Sequence, residues 1–256
     1  MYRDSVFMAF RRWKKLALSV SLLVIVSCGD SSPTTPGAST DGSPSGTVSI
    51  SIVDPQGLLA ASHARIRELV EQTLDQAGSL FAIGRLSITV SASANRAIAG
   101  YGIGGFAPDG LTMQIDIDPF FPALDDVLSD RLPPIVAHEL HHNMRWRGPG
   151  YGSTLLQSMV SEGLADHFAI ELLGAPVPPW SNAFPRDQTE HYLEQARPEL
   201  DSTSFNRDAW FFGTGALPRW TGYTLGFRIV DDYQAANPGL SAADLVNTPA
   251  EAFRPF

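Results

Sequence analysis

Five consecutive residues, His138-Glu139-Leu140-His141-His142, constrain this chain more than any other feature in it. On a helix, His138 and His142 lie four positions apart and project from one face. Two imidazoles placed this way can reach one tetrahedral zinc ion. Glu139 then points toward the same cleft but off the metal axis, where it can take a proton from an activated water. The helix has clear ends: Pro133 and Pro134 suit a first turn, and Gly148-Pro149-Gly150 stops it.

A catalytic zinc takes three protein ligands and keeps one position open, so the third must come from outside the pentad. Continuation as x-x-G-x-x-H is excluded, because Arg145 and Gly148 stand at the two required places. A cysteine ligand is excluded too, since Cys28 is the only cysteine and precedes the part that can fold. Glutamate fits. Ser161-Glu162-Gly163-Leu164-Ala165-Asp166 lies on the next expected helix, which begins near Ser153-Thr154 and runs to Leu173 before Gly174 and Pro176. Glu162 and Asp166 share a face of that helix. Glu162 can bind the metal while Asp166 accepts a hydrogen bond from the far nitrogen of a ligand histidine, fixing its tautomer.

The pairing of H-E-x-x-H with E-x-x-x-D resembles the gluzincins, the thermolysin-type zinc peptidases. Longer blocks carry a second resemblance: Val136-Ala-His-Glu-Leu-His-His142, Gly148-Pro-Gly-Tyr-Gly152, Val160-Ser-Glu-Gly-Leu-Ala-Asp-His167 and Trp220-Thr-Gly-Tyr-Thr-Leu-Gly226. They look like a bacterial family of uncharacterised domains described as predicted Zn-dependent proteases, over roughly residues 95–250. The resemblance implies metal ligation by His138, His142 and Glu162 and catalysis by Glu139. It also singles out Tyr223 as a candidate donor to a developing oxyanion, beside the plainer reading of a half-buried helical tyrosine. In gluzincins an edge strand lines the substrate groove, and residues 111–117 are the expected counterpart here, with a peptide added as a further strand.

The N-terminus sets the expected location. A polar, basic stretch and Trp13-Lys14-Lys15 lead into an apolar run, Leu16 to Val26, too short to span a bilayer comfortably. Ile25-Val26-Ser27-Cys28 resembles a bacterial lipobox, which implies a signal peptide over residues 1–27 and a lipidated Cys28 on a membrane of the cell envelope. Residues 28–47 are mostly Gly, Ser, Thr, Pro and Asp and read as a flexible tether. Residues 48–256 remain, enough for one substantial core. Losing residues 1–27 removes five basic groups and one acidic group from a formal charge of −9, leaving −13 and no lysine at all. That excludes Schiff-base and Ser–Lys chemistry. It also argues against nucleic acid or anionic lipid as a partner of the folded part and does not identify a substrate; a peptide or protein substrate is what the gluzincin resemblance implies. Nothing in the sequence sets an oligomeric state.

Period-two alternation predicts strands at Val48-Ile50-Ile52, Leu86-Ile88-Val90 and Leu111-Met113-Ile115-Ile117, the last two separated by a long loop. Ile66, Leu69, Val70 and Leu74 predict a helix within Leu58–Ala77, capped by Gly78. Further helices are expected at Gln188–Ala196, Gly222–Ala235 and Ala242–Val246, with Pro178 through Arg186 irregular. The whole predicts an α+β, zincin-like single domain: a small mixed sheet with the site helix and others packed on it.

Several residues invite weaker readings. Gly100-Tyr-Gly-Ile-Gly-Gly105 matches G-x-G-x-x-G, but a strand rather than a helix is expected next, which disfavours a dinucleotide site. The glycines better suit a close backbone approach to the cleft. Asp116, Asp118, Asp125 and Asp126 fit no EF-hand spacing and read as solvated acids. His141 and His167 are expected to pack rather than to bind metal, and His63 and His191 have no partner in the sequence. A non-catalytic binding module on the same fold, or a zinc hydrolase of another substrate, are the competing functions; a retained Glu139 argues against the first.

Overall fold

A computed structural model describes residues 47–255, so the readings for residues 1–46, Cys28 included, lie outside the described residues. Four strands, β1 (Val48–Val53), β2 (Leu86–Ala92), β3 (Ile103–Phe106) and β4 (Thr112–Ile117), form one sheet in the order β1-β2-β4-β3. The alternation seen in the sequence sets its faces: Leu86, Ile88, Val90, Met113, Ile115 and Ile117 are buried, while Ile50 and Ile52 on the edge strand are half-buried. Parallel pairing aligns Ile50 with Ile88 and Val90 with Ile115. Helix α1 (His63–Ala77) makes the crossover between β1 and β2 and buries Ile66, Leu69, Val70 and Leu74, as their spacing predicts.

The sheet differs from expectation in its outer strand. What reads as a long loop contains β3, which runs antiparallel to β4 with Gly105 opposite Ile115. Ile-Gly-Gly-Phe carries no alternation, so periodicity could not reveal it. Consequently β4 is flanked on both sides and is not the edge; β3 is. Leu111 falls outside the strand and is exposed. Asp116 is also not a solvated acid: it is buried and paired with Arg96 at 2.7 Å. Burial raises its carboxyl above the usual range, and Arg96 opposes the rise.

Helix α2 (Leu132–Trp146) carries the histidine pentad, with Pro133 and Pro134 in its first turn, and packs on β3, β4 and α1. Helix α3 (Leu155–Leu173) lies behind it. Thr154 caps α3 through a reciprocal box with Gln157, and Gly174 ends it at φ 63°. It is buried on all sides along Leu155–Leu156 and Ser158–Ala169, as befits a helix that is the centre of a domain rather than its surface. Three more helices follow: α4 (Thr189–Ala196), α5 (Arg207–Phe212) and α6 (Thr221–Ala236), the last packed along α3. Helix α5 is too short for a periodic signal. Ala242–Val246 is not the expected helix; it forms turns, although Ala242, Leu245 and Val246 are buried. Burying those side chains was the apolar pattern's meaning there. No helix among the described residues is long and apolar enough to cross a membrane.

Candidate metal centre

Helices α2 and α3 bring His138, His142 and Glu162 together, all buried. One helical turn separates the two histidines, and their Nε2 atoms lie 3.0 Å apart. Glu162 Oε2 reaches across from α3 to 3.2 Å from Nε2 of His138 and 3.3 Å from that of His142. The three atoms make a nearly equilateral triangle. Bonds of about 2.0–2.1 Å from a tetrahedral zinc require ligand atoms about 3.3–3.4 Å apart, so the triangle has the size of one face of such a polyhedron.

Hydrogen bonding supports the same reading. Asp166 Oδ1 lies 2.7 Å from His138 Nδ1. A carboxylate only accepts, so Nδ1 carries the hydrogen and leaves the Nε2 lone pair facing the triangle. Asp166 is itself held: Trp180 Nε1 donates to both of its oxygens at 3.1 and 3.0 Å, and the Ser181 hydroxyl makes a short bond to Oδ2. Trp180 and Ser181 come from the segment that reads as irregular, and no sequence signal marked them. His142 is secured differently. Its Nδ1 is buried without a hydrogen-bond partner among the described residues, and its ring stands edge-on to His138 and Tyr151, with centroids 4.6 and 5.2 Å away. Two imidazole nitrogens and one carboxylate oxygen, pre-aimed at one point, are a donor set that fits zinc.

The electrostatics follow from crowding charge in a buried place. Burial pushes the Glu162 carboxyl up, but His142 and His138 outweigh it and hold the group well below the usual carboxylate range. Burial works against a charged His138 as well, yet Asp166 and Glu162 outweigh it and set the imidazole well above its ordinary value. Glu139 goes the other way: burial raises its carboxyl, His138 and His142 oppose, and Glu162 and Asp166 add to the rise. A buried carboxylate beside a cation site is placed to take and return a proton.

Glu139 lies directly under the outer strand. A Cβ at Gly105 would come within 2.5 Å of Glu139 Cγ and Oε1, so only glycine lets β3 sit this close. The glycine run at 100–105 was the signal. Two further glycines bring α6 against α3: a Cβ at Gly163 would strike the Gly226 carbonyl, and one at Gly226 the Met159 carbonyl. This contact places Tyr223 of α6 near the centre, close enough for Glu162, Arg207, Tyr151 and Asp166 to act on its ionisation. Burial raises its phenol well above the ordinary value. Its ring stands edge-on to Phe211 at 5.1 Å.

Tyr151 and Arg207 are functional candidates that sequence reasoning missed. The Tyr151 hydroxyl donates a short bond to Glu162 Oε1, and Arg207 donates to that hydroxyl at 2.7 Å. Tyr151 stands inside the Gly-Pro-Gly-Tyr-Gly block, which could have drawn notice; Arg207 had no such marker. His141 and His167 are structural. His141 Nε2 donates to the Ala242 carbonyl at 3.2 Å, and burial, helped by His142, pulls its pKa well down. His167 stacks on Phe227 at 4.1 Å and bonds its carbonyl.

A mixed sheet with an antiparallel outer strand, laid over a helix that carries H-E-x-x-H and backed by a second helix, is a zincin-like arrangement. The comparison with known families narrows this. A family described as "Predicted Zn-dependent protease (DUF2268)" matches residues 93–254, and the chain belongs to that family. Zinc is therefore the cofactor that both the family and the donor set indicate. Two uncharacterised proteins of Bacillus subtilis (strain 168) are similar to it. YjaZ is 32% identical over 126 residues, 46% of this chain and 48% of that protein. YjfC is 30% identical over 118 residues, 40% of each. The chain thus spans less than half the length of these relatives. No solved structure matches it.

Proposed function

We propose that this protein hydrolyses peptide bonds with a gluzincin-type centre, His138, His142 and Glu162 holding zinc and Glu139 acting as general base. The observation that carries this reading is the triangle of 3.0, 3.2 and 3.3 Å with a proton-accepting carboxylate beside it on α2. Zinc, when bound, supplies Lewis acidity, lowering the pKa of water toward ~7 and polarising a carbonyl. Glu139 takes the proton as the attack develops and returns it to the departing amine. Asp166 keeps the His138 ring in one tautomer throughout. Tyr223 is the proposed donor to the developing oxyanion, supported by its place among Glu162, Arg207 and Tyr151.

Substrate binding follows from the topology. β3 is the terminal strand on its side of the sheet, and Ile98 N donates to the Ile103 carbonyl at its start. A peptide added along Gly105 runs directly over Glu139, with its main chain read before its side chains. We place the activity outside the cytoplasm, on a membrane reached through a lipidated Cys28, on the strength of the lipobox-like Ile25-Val26-Ser27-Cys28.

The test compares the wild-type chain with Glu139→Gln on a quenched peptide library, after zinc content has been measured in both. The proposal expects cleavage by the first and zinc without cleavage in the second. Equal cleavage by both rejects Glu139 as the base. Zinc-loaded wild type that cleaves nothing rejects peptide hydrolysis. For the location, Cys28→Ala should move the protein from the membrane fraction to the soluble one; no change removes that part.

A further inference from the structure

Glu162 has two carboxylate oxygens in unlike surroundings. Oε2 belongs to the triangle, 3.2 and 3.3 Å from the histidine nitrogens. Oε1 faces away from it, takes the short bond from the Tyr151 hydroxyl and lies 3.4 Å from Arg207 Nη2. The same Nη2 donates to the Tyr151 hydroxyl at 2.7 Å. A guanidinium can only donate, so the phenol accepts from Arg207 and its single hydrogen goes to Oε1. The relay therefore runs in one direction, from Arg207 through Tyr151 to Glu162.

The members of this relay come from three elements: the turn between α2 and α3, α3 itself, and the first residue of α5. Each is anchored on its own account. The Tyr151 carbonyl accepts from Ser161 Oγ at 2.7 Å, and Ser161 Oγ in turn accepts from Arg145 Nε at 3.0 Å. The Tyr151 ring stacks on Trp146 with centroids 6.2 Å apart and meets His142 edge-on. The Arg207 guanidinium lies over the rings of Tyr151 and Phe211 at 5.3 and 4.6 Å.

A carboxylate can grip a cation with one oxygen or with both. With both, Glu162 and the two histidines would supply four protein atoms, and a water at the position that a catalytic zinc keeps open would become a crowded fifth. Resting on the metal centre proposed above, we propose that Tyr151 and Arg207 are positioning residues that occupy Oε1 and hold Glu162 to ligation through Oε2 alone. Their role is to keep the fourth position available; neither meets the reacting atoms in performing it.

Cobalt(II) in place of zinc makes coordination number visible, since four-coordinate cobalt absorbs far more strongly in the visible range than five- or six-coordinate cobalt. The full chain, Tyr151→Phe and Arg207→Gln are each loaded with cobalt, and metal affinity is measured by chelator competition. Tyr151→Phe keeps the ring packing and loses only the hydroxyl. The expected result is an intense four-coordinate band in the wild type, a weakened band in Tyr151→Phe with about 10-fold or more weaker binding, and a smaller shift the same way in Arg207→Gln. A wild-type spectrum and affinity in Tyr151→Phe overturn the inference. Should circular dichroism show Tyr151→Phe unfolded, the same two readings on Arg207→Gln decide it, and no change there is equally fatal. A wild type that binds neither cobalt nor zinc overturns the metal centre and this inference with it. One that binds metal but cleaves no peptide overturns the peptidase reading alone, because coordination is read without activity.

Discussion

Arg145 and the pair His138–His142 stand on the same helix and are buried against the same neighbour, yet their surroundings differ in kind. Arg145 is 1% exposed, and its Nε and Nη1 donors find oxygens: Nε meets Ser161 Oγ, and Nη1 meets the Val246 and Thr248 carbonyls, each at 3.0 Å. Burial lowers its pKa to about 10, which leaves it cationic at neutral pH. A turn away, two imidazole nitrogens and a carboxylate oxygen face one another at 3.0–3.3 Å. Donors matched to oxygens mark architecture; two imidazoles and a carboxylate aimed at one point mark a place for a cation. Burial alone does not separate the two clusters, and the sign of what converges does.

The contrast can be broken by substitution on either side. The largest effect is expected from Glu139→Gln, which should lower peptide turnover about 10²–10⁴-fold while zinc content stays at the wild-type level, as measured by metal analysis beside a fluorogenic assay. Next comes Arg145→Met. It leaves the Val246 and Thr248 carbonyls without their donor and should cost about 3 kcal/mol in denaturant unfolding, with zinc still bound. Loss of zinc in that variant, with the fold intact, would mean that the two clusters are not separable. Asp166→Asn should weaken zinc about 10–100-fold in chelator competition and change thermal stability little when zinc is in excess, because the bond it loses orients His138. Thr154→Ala belongs to neither cluster. It removes the capping box of α3 and should cost about 1 kcal/mol, with metal affinity unchanged.

Much of the centre was readable from spacing. His138, His142, Glu162 and Asp166 lie four apart in pairs on two helices, and helix geometry is local, so sharing a face follows directly from the sequence. The ends of α3 were equally legible, because Thr154 and Gly174 act on backbone groups within a turn of themselves. The strand β3 was not legible, and its absence from the reading led to the wrong edge. Two glycines in four residues leave no side-chain period to detect, and what makes the segment a strand is its ladder to β4. Ala242–Val246 failed for the opposite reason: apolar spacing was present, but it served burial in a turn.

The sequence by itself determined the two site helices, the caps of α3 and the α+β class, since periods and caps depend on residues within a few positions of one another. Tertiary structure alone decided that β3 covers Glu139, that Trp180 and Ser181 hold Asp166, and that Tyr151 and Arg207 take the second oxygen of Glu162. Those contacts join segments 11 to 45 positions apart or more, and only close packing of α3 against its neighbours sets their distances.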